Sequence, residues 1–328
     1  MINFKIAGTG VSIPDKIVTN DDYAEFLDTS DEWISERTGI KERHIAADKA
    51  AYTMAVEAAG QALSNADVSA LEVDMVLVST ATSEYKFPSV ACIVQNELGL
   101  KNAFCFDISA ACSGFVYALD IAAQYFSTKR VKNVLIIASE KLSSVTDFSD
   151  RSTCVLFGDG AGAVLLSEDD EGGLLSSILK SDGTGVKSLI CRNTEQKSPW
   201  NAGFSDPYEP DNVGILTMDG REVYRFAVKA MCETSQEAME IAGVTSDDIK
   251  ALIPHQANIR IINSAIVKLK IPEDKVHKNI EKFGNTSSAS IPLILHELFT
   301  NGTLVKGDLI LLSAFGAGLT CGAVILKI

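Results

Sequence analysis

Three polar residues in this sequence have types and settings suited to nucleophilic catalysis: Cys112, His255 and Asn285. Cys112 lies between the strand-like run AFCFDIS and the apolar, helix-like run GFVYALDIAAQYF. The N-terminus of a helix favours anions through its dipole and its free N–H groups, so we expect a lowered pKa and a thiolate at Cys112. Such a thiolate could act as a nucleophile. The competing interpretation is a small core side chain, which is common for cysteine.

His255 and Asn285 occupy loops next to predicted regular elements. His255 lies in LIPHQAN, directly after a predicted buried strand, where α/β proteins commonly place polar chemistry. Asn285 lies in KFGNTSSAS, at a turn that leads into a predicted helix. The residues alone also allow Asn285 to be a helix cap and His255 to be a capping or core side chain.

The elements that must position these residues alternate between short apolar runs and helical patterns, which predicts an α/β fold with buried strands. The predicted strands cover 75–79, 103–108, 134–138, 154–157, 163–167, 251–253, 309–313 and 323–326. The predicted helices cover 50–65, 89–98, 114–126, 220–242, 259–270 and 288–299. Gly243 is the expected C-terminal stop of the fourth helix.

An internal repeat indicates a duplicated α/β unit. The first half contains VLVSTAT, AACSGF, VLIIASE and FGDGAGAVLL, and the second contains ALIPHQAN, FGNTSSAS and LILLSAFGAGLTCGAVIL in a similar order. We therefore expect Cys112 and Asn285 to occupy equivalent positions and to converge. The acidic run EDDEGG predicts a boundary that leaves the cysteine in residues 1–170 and the histidine and asparagine in residues 171–328.

Composition excludes several function classes. The chain has 328 residues and a net charge of −14, which disfavours nonspecific binding to nucleic acid or to an anionic membrane. Seven cysteines without a C-x-x-C motif and four histidines without close pairing predict neither a disulfide framework nor a metal site. We expect a reducing cytoplasm. No signal peptide pattern is evident in the first fourteen residues, and no apolar run is long enough to span a membrane.

A set of motifs resembles one known family. The motifs are DEWISERTGIKER, FPSVACIVQNELG, AACSGF, FGDGAGAVLL, PHQANIRII, FGNTSSAS and FGAGLTCGA. Together, across residues 6–328, they are similar to the β-ketoacyl-[acyl carrier protein] synthase III family. The resemblance implies a thiolase-like fold in which duplicated halves form α-β-α-β-α layers. It also implies a cytoplasmic homodimer without a permanently bound cofactor.

The same resemblance implies a reaction. An acyl-CoA primer acylates a cysteine, and decarboxylative Claisen condensation with malonyl-acyl carrier protein then gives a 3-oxoacyl-carrier product, which starts fatty-acid synthesis. It implies that Cys112 carries the thioester and that His255 and Asn285 stabilise the enolate. The backbone N–H groups of Cys112 and Ala317 would form the oxyanion hole.

Binding residues are also implied by the resemblance. Trp33, Arg37 and Arg151 would hold the adenine and phosphates of CoA, and Asn258 would contact its pantetheine arm. Phe87 would cross a dimer interface into the acyl pocket of the partner. The alternatives are a core position for Trp33, an ion pair of Arg151 with Asp147 or Asp150, and ordinary interface packing for Phe87.

A basic strip stands out in this acidic chain. Arg221, Arg225 and Lys229 follow one helix face, and Arg260 and Lys268 share the helix after His255. The resemblance implies that Arg221, Arg225, Arg260 and Lys268 dock the acidic acyl carrier protein. A solvated charged face is the competing interpretation.

One residue departs from the family pattern. Cys321 stands where the family commonly has tryptophan, which would leave space near the Gly-rich hairpin and could reshape the pocket or CoA channel. The chain could alternatively be a specialised synthase of secondary metabolism, a cysteine-dependent thioesterase or a non-enzymatic acyl-CoA-binding protein.

Overall fold

The computed structural model of the chain describes residues 1–193, 208 and 213–328. Its strands are β1 (Ile2–Asn3), β2 (Lys5–Ser12), β3 (Lys16–Thr19), β4 (Glu42–Ile45), β5 (Met75–Ser79), β6 (Phe104–Ile108), β7 (Asn133–Glu140), β8 (Gly160–Ser167), β9 (Gly173–Ser181), β10 (Leu189–Cys191), β11 (Leu216–Met218), β12 (Ala251–Pro254), β13 (Leu309–Gly316) and β14 (Thr320–Lys327). Its helices are α1 (Asn20–Ala24), α2 (Asp31–Thr38), α3 (Ala51–Ala66), α4 (Val90–Glu97), α5 (Gly114–Ser127), α6 (Gly220–Ala242), α7 (Ile259–Leu269), α8 (Ile280–Phe283) and α9 (Ser290–Thr300).

Two five-stranded sheets share one strand order. The first runs β2-β8-β7-β5-β6 and the second runs β1-β9-β14-β13-β12. In the first sheet β7 pairs in parallel with β5 and antiparallel with β8, just as β13 pairs with β12 and β14 in the second. Strand β6 extends the first sheet at one edge, and β1 extends the second at the opposite edge. The repeat in the sequence is therefore a duplicated α/β unit, and we infer a division of the main body near residue 170.

The layers follow an α-β-α-β-α order. Helices α5 and α9 lie between the two sheets, and their apolar faces join the largest buried cluster with strands from both halves. Helices α3 and α4 cover the outer face of the first sheet, and α6 and α7 cover the outer face of the second. Because both sheet faces are covered, every residue of β5 (MVLVS) is buried.

Local sequence signals define the elements around the site. The side chain of Asp219 accepts the N–H groups of Arg221 and Glu222 at the start of α6, and Gly243 ends that helix with φ of 69°. Asn258 caps α7 by accepting the N–H of Arg260 at 2.8 Å. No helix in the described ranges has the length and apolar character needed to cross a membrane.

The strand prediction for 154–157 is wrong. This segment forms turns, in which the N–H of Cys154 donates to the Asp150 carbonyl at 3.0 Å. The buried guanidinium of Arg43 binds the Val155 carbonyl through Nη2 at 2.6 Å. These partners use the backbone groups that a sheet neighbour would need. The other predicted strands and the predicted helices are confirmed, with ends that shift by up to three residues.

The structural correspondence between the halves also corrects the expected partner of Cys112. The 3-10 turns before α5 and α9 (Ala111–Ser113 and Ser287–Ala289) each begin with a residue of positive φ. This alignment makes Ser288 the counterpart of Cys112, whereas Asn285 lies outside the second turn. By the same alignment, the strand-end residue Ser79 corresponds to His255, and Gly114 corresponds to Ser290.

Candidate active site

A cavity of about 370 Å³ lies where the two halves meet. Cys112 from the first half lines it together with His255 and Asn285 from the second. The predicted convergence of Cys112 and Asn285 is therefore confirmed, although their equivalence is not, and His255 lines the same cavity. The same cavity is continuous with Trp33 and Asn258, which places the three polar side chains at the end of a channel.

A sharp turn presents Cys112. Ala111 adopts a positive φ of 46°, and the chain enters α5 two residues after the cysteine. Ser113 anchors this turn, since its hydroxyl donates to the Ala110 carbonyl at 2.7 Å and also hydrogen-bonds Thr320 of the second half at 2.7 Å. The backbone of the cysteine is thus tied to the Gly-rich hairpin of β13 and β14.

The expectation of a lowered pKa at Cys112 is wrong, because the surroundings of its side chain raise this pKa. The side chain retains some access to the cavity, yet burial raises the pKa of the thiol to about 12. A hydrogen bond with the Ser287 side chain lowers this pKa, and the negative charge of Glu140 raises it. Burial of the side chain therefore acts against the thiolate that the helix start favours.

The His255 imidazole is buried and lies edge-on to Phe315, with ring centroids 5.3 Å apart. Its Nδ1 hydrogen-bonds the Ser290 hydroxyl at 2.9 Å, while its Nε2 is buried without a hydrogen-bond partner. Burial lowers the pKa of the ring to about 3, so the ring is neutral at pH 7. An unpartnered ring nitrogen in a residue that lines a cavity is a site for a ligand.

The Asn285 side chain is oriented by its own loop. Its Oδ1 accepts the N–H of Ser287 at 2.8 Å, which leaves the Nδ2 hydrogens for a ligand. Its backbone N–H donates to the Leu156 carbonyl at 2.8 Å, and Gly158 donates to its carbonyl at 3.0 Å. The loop is therefore held against the first half on both sides of the functional amide.

Gly316 brings the hairpin close to the nucleophile. A Cβ at this position would lie 2.7 Å from the backbone nitrogen of Cys112 and 3.1 Å from that of Ser113. Only glycine permits this approach. The next residue, Ala317, lines the cavity beside Cys112. The backbone groups expected to form an oxyanion hole are thus neighbours.

Two arginine guanidinium groups lie over the ring of Trp33. The Arg37 guanidinium lies 4.5 Å from the ring centroid, and that of Arg151 lies 5.0 Å from it. Arg151 pairs with Asp28 at 3.4 Å, which is a different partner from the two aspartates considered from sequence. A half-buried indole beside two cations matches the chemistry of a phosphorylated aromatic ligand such as CoA.

Four arginines meet at a second cavity, of about 530 Å³, near the mouth of the channel. Its lining includes Arg37, Arg221, Arg225, Arg260 and Asn258. Here Arg260 binds the Glu36 carbonyl through Nε at 3.2 Å, and Asn258 Nδ2 donates to the Arg37 carbonyl at 3.1 Å. Lys268 is exposed in the last turn of α7 and does not belong to this cavity lining.

Phe87 and Cys321 lie outside the main cavity of the described chain. Phe87 is 84% exposed, just before α4. Cys321 is buried opposite Phe315 in the hairpin and packs with α6 in an apolar cluster. Cys321 does not line the main cavity, whereas its paired neighbour Phe315 does, so an effect of this residue on the pocket or channel stays a prediction.

Sequence reasoning missed several residues of the site, among them Glu140, Ser287, Ser290 and Phe315. The signal for Glu140 was an acid at the end of the apolar strand run VLIIASE, a placement that needs polar partners once it is buried. No group of three or more His, Cys, Asp or Glu side chains among the described residues could hold a metal ion.

Comparisons with known proteins agree on one family. The family model described as 3-oxoacyl-[acyl-carrier-protein (ACP)] synthase III matches residues 106–183, and the model of its C-terminal part matches residues 239–328. The β-ketoacyl-[acyl-carrier-protein] synthase III of Aquifex aeolicus is 47% identical over 324 residues, which cover 98% of this chain and 99% of that protein. The enzyme of the same name from Clostridium acetobutylicum is 44% identical over 331 residues, covering 100% and 99%.

Solved structures give the same result. The crystal structure of the Aquifex aeolicus synthase III superposes with a TM-score of 0.92 at 47% identity, covering 99% of this chain and 100% of that one. The Thermus thermophilus synthase III superposes with a TM-score of 0.90 at 41% identity and covers 98% of both chains.

Proposed function

The chain belongs to the β-ketoacyl-[acyl carrier protein] synthase III family, and from this premise we propose that Cys112, His255 and Asn285 are its catalytic residues. As a member of the family it is an acyltransferase with the thiolase fold. The observation that carries the assignment is the meeting of a thiol, an unpartnered imidazole Nε2 and a free amide donor in one buried cavity.

Acylation is the first half-reaction. The Cys112 sulfur attacks the thioester carbon of an acyl-CoA, the new Sγ–C bond forms, and the bond to the CoA sulfur breaks. CoA leaves with the proton that the thiol gives up. The carbonyl oxygen becomes an oxyanion during attack and accepts hydrogen bonds from the backbone N–H groups of Cys112 and Ala317, which Gly316 holds together.

Condensation follows with malonyl-acyl carrier protein. The bond to the carboxylate carbon breaks, carbon dioxide leaves, and the electron pair forms an enolate. His255 donates through Nε2–H and Asn285 through Nδ2 to the enolate oxygen. The Ser290 hydroxyl lies 2.9 Å from both His255 Nδ1 and the Ser287 carbonyl oxygen, and the Nε2–H tautomer requires its single proton to point to Nδ1. The enolate carbon then attacks the Cys112 thioester, which yields the 3-oxoacyl-carrier product and expels the Cys112 thiolate, and this thiolate takes up one proton from solvent before the next cycle.

Intact mass spectrometry separates the two half-reactions. The wild-type protein should gain the mass of the acyl group from a short acyl-CoA and lose it on addition of malonyl-acyl carrier protein, and Cys112→Ala should gain nothing. His255→Ala and Asn285→Ala should still be acylated but should lose condensation by about 10²-fold or more. Equal loss of acylation and condensation in both variants would contradict the division of roles.

Substrate and carrier binding are assigned to adjoining surfaces. Trp33, Arg37 and Arg151 bind the adenine and phosphates of CoA, and Asn258 contacts the pantetheine arm within the channel. The second cavity docks the acidic carrier through Arg221, Arg225 and Arg260, with Lys268 at the rim. A local basic patch overcomes the net charge of −14 because repulsion from distant charges is screened over about 8 Å at physiological salt.

Charge reversal tests the docking surface. Arg221→Glu should raise the KM for malonyl-acyl carrier protein at low salt while the rate of acylation by acyl-CoA stays unchanged. Lys132→Glu is the matched control, because it makes the same charge change at an exposed position outside both cavities. An unchanged KM for the carrier in Arg221→Glu would refute this docking surface.

A homodimer in the cytoplasm completes the proposal. Strand β6 is an edge strand of the first sheet, Phe104 at its start is 40% exposed, and Phe87, just before α4, is 84% exposed. Pairing of this edge with a second copy would cover both side chains and bring Phe87 to the partner's acyl pocket. The seven free cysteines fit a reducing compartment. Light scattering should give twice the mass of 35.1 kDa, and a monomer would refute the dimer.

A further inference from the structure

Two cysteines outside the proposed active site lie in contact with each other in the first half of the chain. Cys92 belongs to the first turn of α4, and Cys105 belongs to the edge strand β6. Their Sγ atoms are 3.4 Å apart, and either thiol can donate to the other. Cys92 is exposed, Cys105 is half-buried, and neither lines the main cavity. The pair thus combines one sulfur that is open to solvent with a second that is partly covered.

The side chain of Asp107 holds α4 against β6 beside the two sulfurs. Its Oδ2 accepts the N–H of Val90 at 2.7 Å, and its Oδ1 accepts the N–H of Ala91 at 2.8 Å. Successive side chains of a strand point to opposite faces, so Cys105 and Asp107 share the face that α4 covers. In agreement, Cys105 packs with the outer apolar cluster. The contact between the sulfurs is therefore set by the docking of the helix on its strand.

The surroundings of the pair fit a disulfide better than a metal ion. A metal site would need further ligands besides two thiolates. Both oxygens of the neighbouring Asp107 carboxylate already accept backbone N–H groups. Within the described ranges, no three His, Cys, Asp or Glu side chains are grouped as metal ligands. The chemistry left to two thiols in contact is oxidation to a disulfide.

The geometry and the access of the two sulfurs suit that oxidation. A disulfide bond is about 2.05 Å long, so the sulfurs must approach by roughly 1.4 Å, which small rotations about the two Cα–Cβ bonds supply. Burial, followed by the hydrogen bond with Cys92, raises the pKa of the Cys105 thiol to about 12. A dissolved oxidant therefore reacts first at the exposed Cys92, and Cys105 is the thiol that resolves the oxidised intermediate.

We propose that Cys92 and Cys105 are a redox modification site, at which hydrogen peroxide forms a reversible disulfide within one chain. The Cys92 sulfur attacks one peroxide oxygen, the O–O bond breaks, and the products are a sulfenic acid and one water. The Cys105 sulfur then attacks the Cys92 sulfur, the S–O bond breaks, and the hydroxyl leaves with the Cys105 proton as a second water. The two thiols lose two electrons and two protons, and the peroxide gains them.

The disulfide adds a covalent link between α4 and β6 next to the hydrogen bonds of Asp107. Helix α4 begins shortly after the exposed Phe87, so the oxidised chain restrains the helix start that follows this side chain. In a reducing compartment such a bond is transient, which is typical of redox-sensing disulfides. The modification does not require the reaction proposed for Cys112 and is tested separately from it.

Peptide mapping of the full-length protein after treatment with hydrogen peroxide tests the site. Lys101 lies between the two cysteines, so trypsin should release peptide 87–101 joined to peptide 102–128. Dithiothreitol should separate the two peptides again. Peptide 102–128 also contains Cys112. The same joined peptides should therefore form in Cys112→Ala, which excludes Cys112 as the partner.

Single substitutions separate the roles of the two sulfurs. Cys105→Ser should stop at a sulfenic acid on Cys92, which dimedone traps, whereas the wild type should form the disulfide instead. Cys92→Ser should give no joined peptides. Cys191→Ser is the matched control, because it removes a different exposed thiol and should form the joined peptides as the wild type does.

Two results would overturn the modification site. One is the absence of joined peptides from the wild type at a peroxide concentration that oxidises the exposed Cys191. The other is a disulfide between the Cys92 residues of two copies, which non-reducing electrophoresis would show as a doubled chain mass. Both results leave the proposed acylation of Cys112 untouched, since that reaction is measured with acyl-CoA and without peroxide.

Discussion

Replacing Gly316 with alanine should separate the two halves of the oxyanion hole. An alanine Cβ would lie 2.7 Å from the backbone nitrogen of Cys112, whereas ordinary Cβ contacts begin at 3.4 Å. The hairpin and the Cys112 turn must therefore move apart by roughly 0.7 Å, since the obstacle is backbone rather than a flexible side chain. Gly316 is not among the glycines of positive φ, so the expected effect is steric.

The magnitude follows from what the displaced groups do. Loss of one oxyanion donor costs about 10²–10³ in rate, and a displacement of about 1 Å costs about 10². We expect the acylation rate of Gly316→Ala to fall by about 10²-fold. Affinity for acyl-CoA should change little, because the residues flanking Trp33 are untouched.

The assay is the rate of mass gain from acetyl-CoA in a folded variant. Gly183→Ala is the control, because a Cβ at Gly183 meets no atom within 4 Å. The control should react like the wild type and retain the same near-ultraviolet spectrum. Wild-type acylation by Gly316→Ala would refute the argument that this close approach aligns the donors of Cys112 and Ala317.

Three further predictions concern stability and binding. Gly60→Ala in α3 should raise the free energy of unfolding by about 0.5–1 kcal/mol in thermal denaturation, because its Cβ would meet Leu98 at an ordinary 3.6 Å; a lower midpoint would contradict this. Trp33→Ala should raise the KM for acyl-CoA about tenfold in steady-state kinetics by removing the stacking face, and an unchanged KM would exclude that role. His255 has a folded pKa of about 3 against 6.5, so the unfolded chain binds the proton first and stability is lost as pH falls below 6.5. Between pH 6.5 and 5, urea titrations should show roughly 1.5 kcal/mol more loss in the wild type than in His255→Gln, and parallel losses would argue against a buried neutral ring.

The elements that could be predicted from sequence are those with one dominant signal. Strands such as β5 and β13 are continuous apolar runs, and α6 has an aspartate cap and a terminal glycine. Strand β2 (KIAGTGVS) escaped prediction because its glycines pack against α3 and break the apolar pattern. The turns at 154–157 were taken for a strand because their apolar side chains are buried for another reason, around the Arg43 guanidinium.

The candidate site shows the same limit. The motif around Cys112 identifies a helix start, but the direction of the pKa shift depends on burial by residues of the other half. Glu140 and Ser287 are far apart in the chain, and nothing local to either indicates their hydrogen bond. Hydrogen bonds between the two halves join residues that are distant in sequence, so they can be identified only from the folded structure.

The two halves correspond in fold, yet the residues where a central strand meets a middle-layer helix differ between them. Each half has one place where the end of a central strand meets the start of a middle-layer helix: Ser79 against Gly114 in the first, and His255 against Ser290 in the second. In the first, a Cβ on Gly114 would lie 2.0 Å from the Ser79 hydroxyl, so the Ser79 side chain already fills the space beside Gly114. In the first half the contact is therefore close packing of a serine against a glycine, whereas in the second half Ser290 hydrogen-bonds the His255 imidazole. The symmetry therefore belongs to the architecture, whereas the two halves give different polar residues to the site: Cys112 comes from the first and His255 from the second.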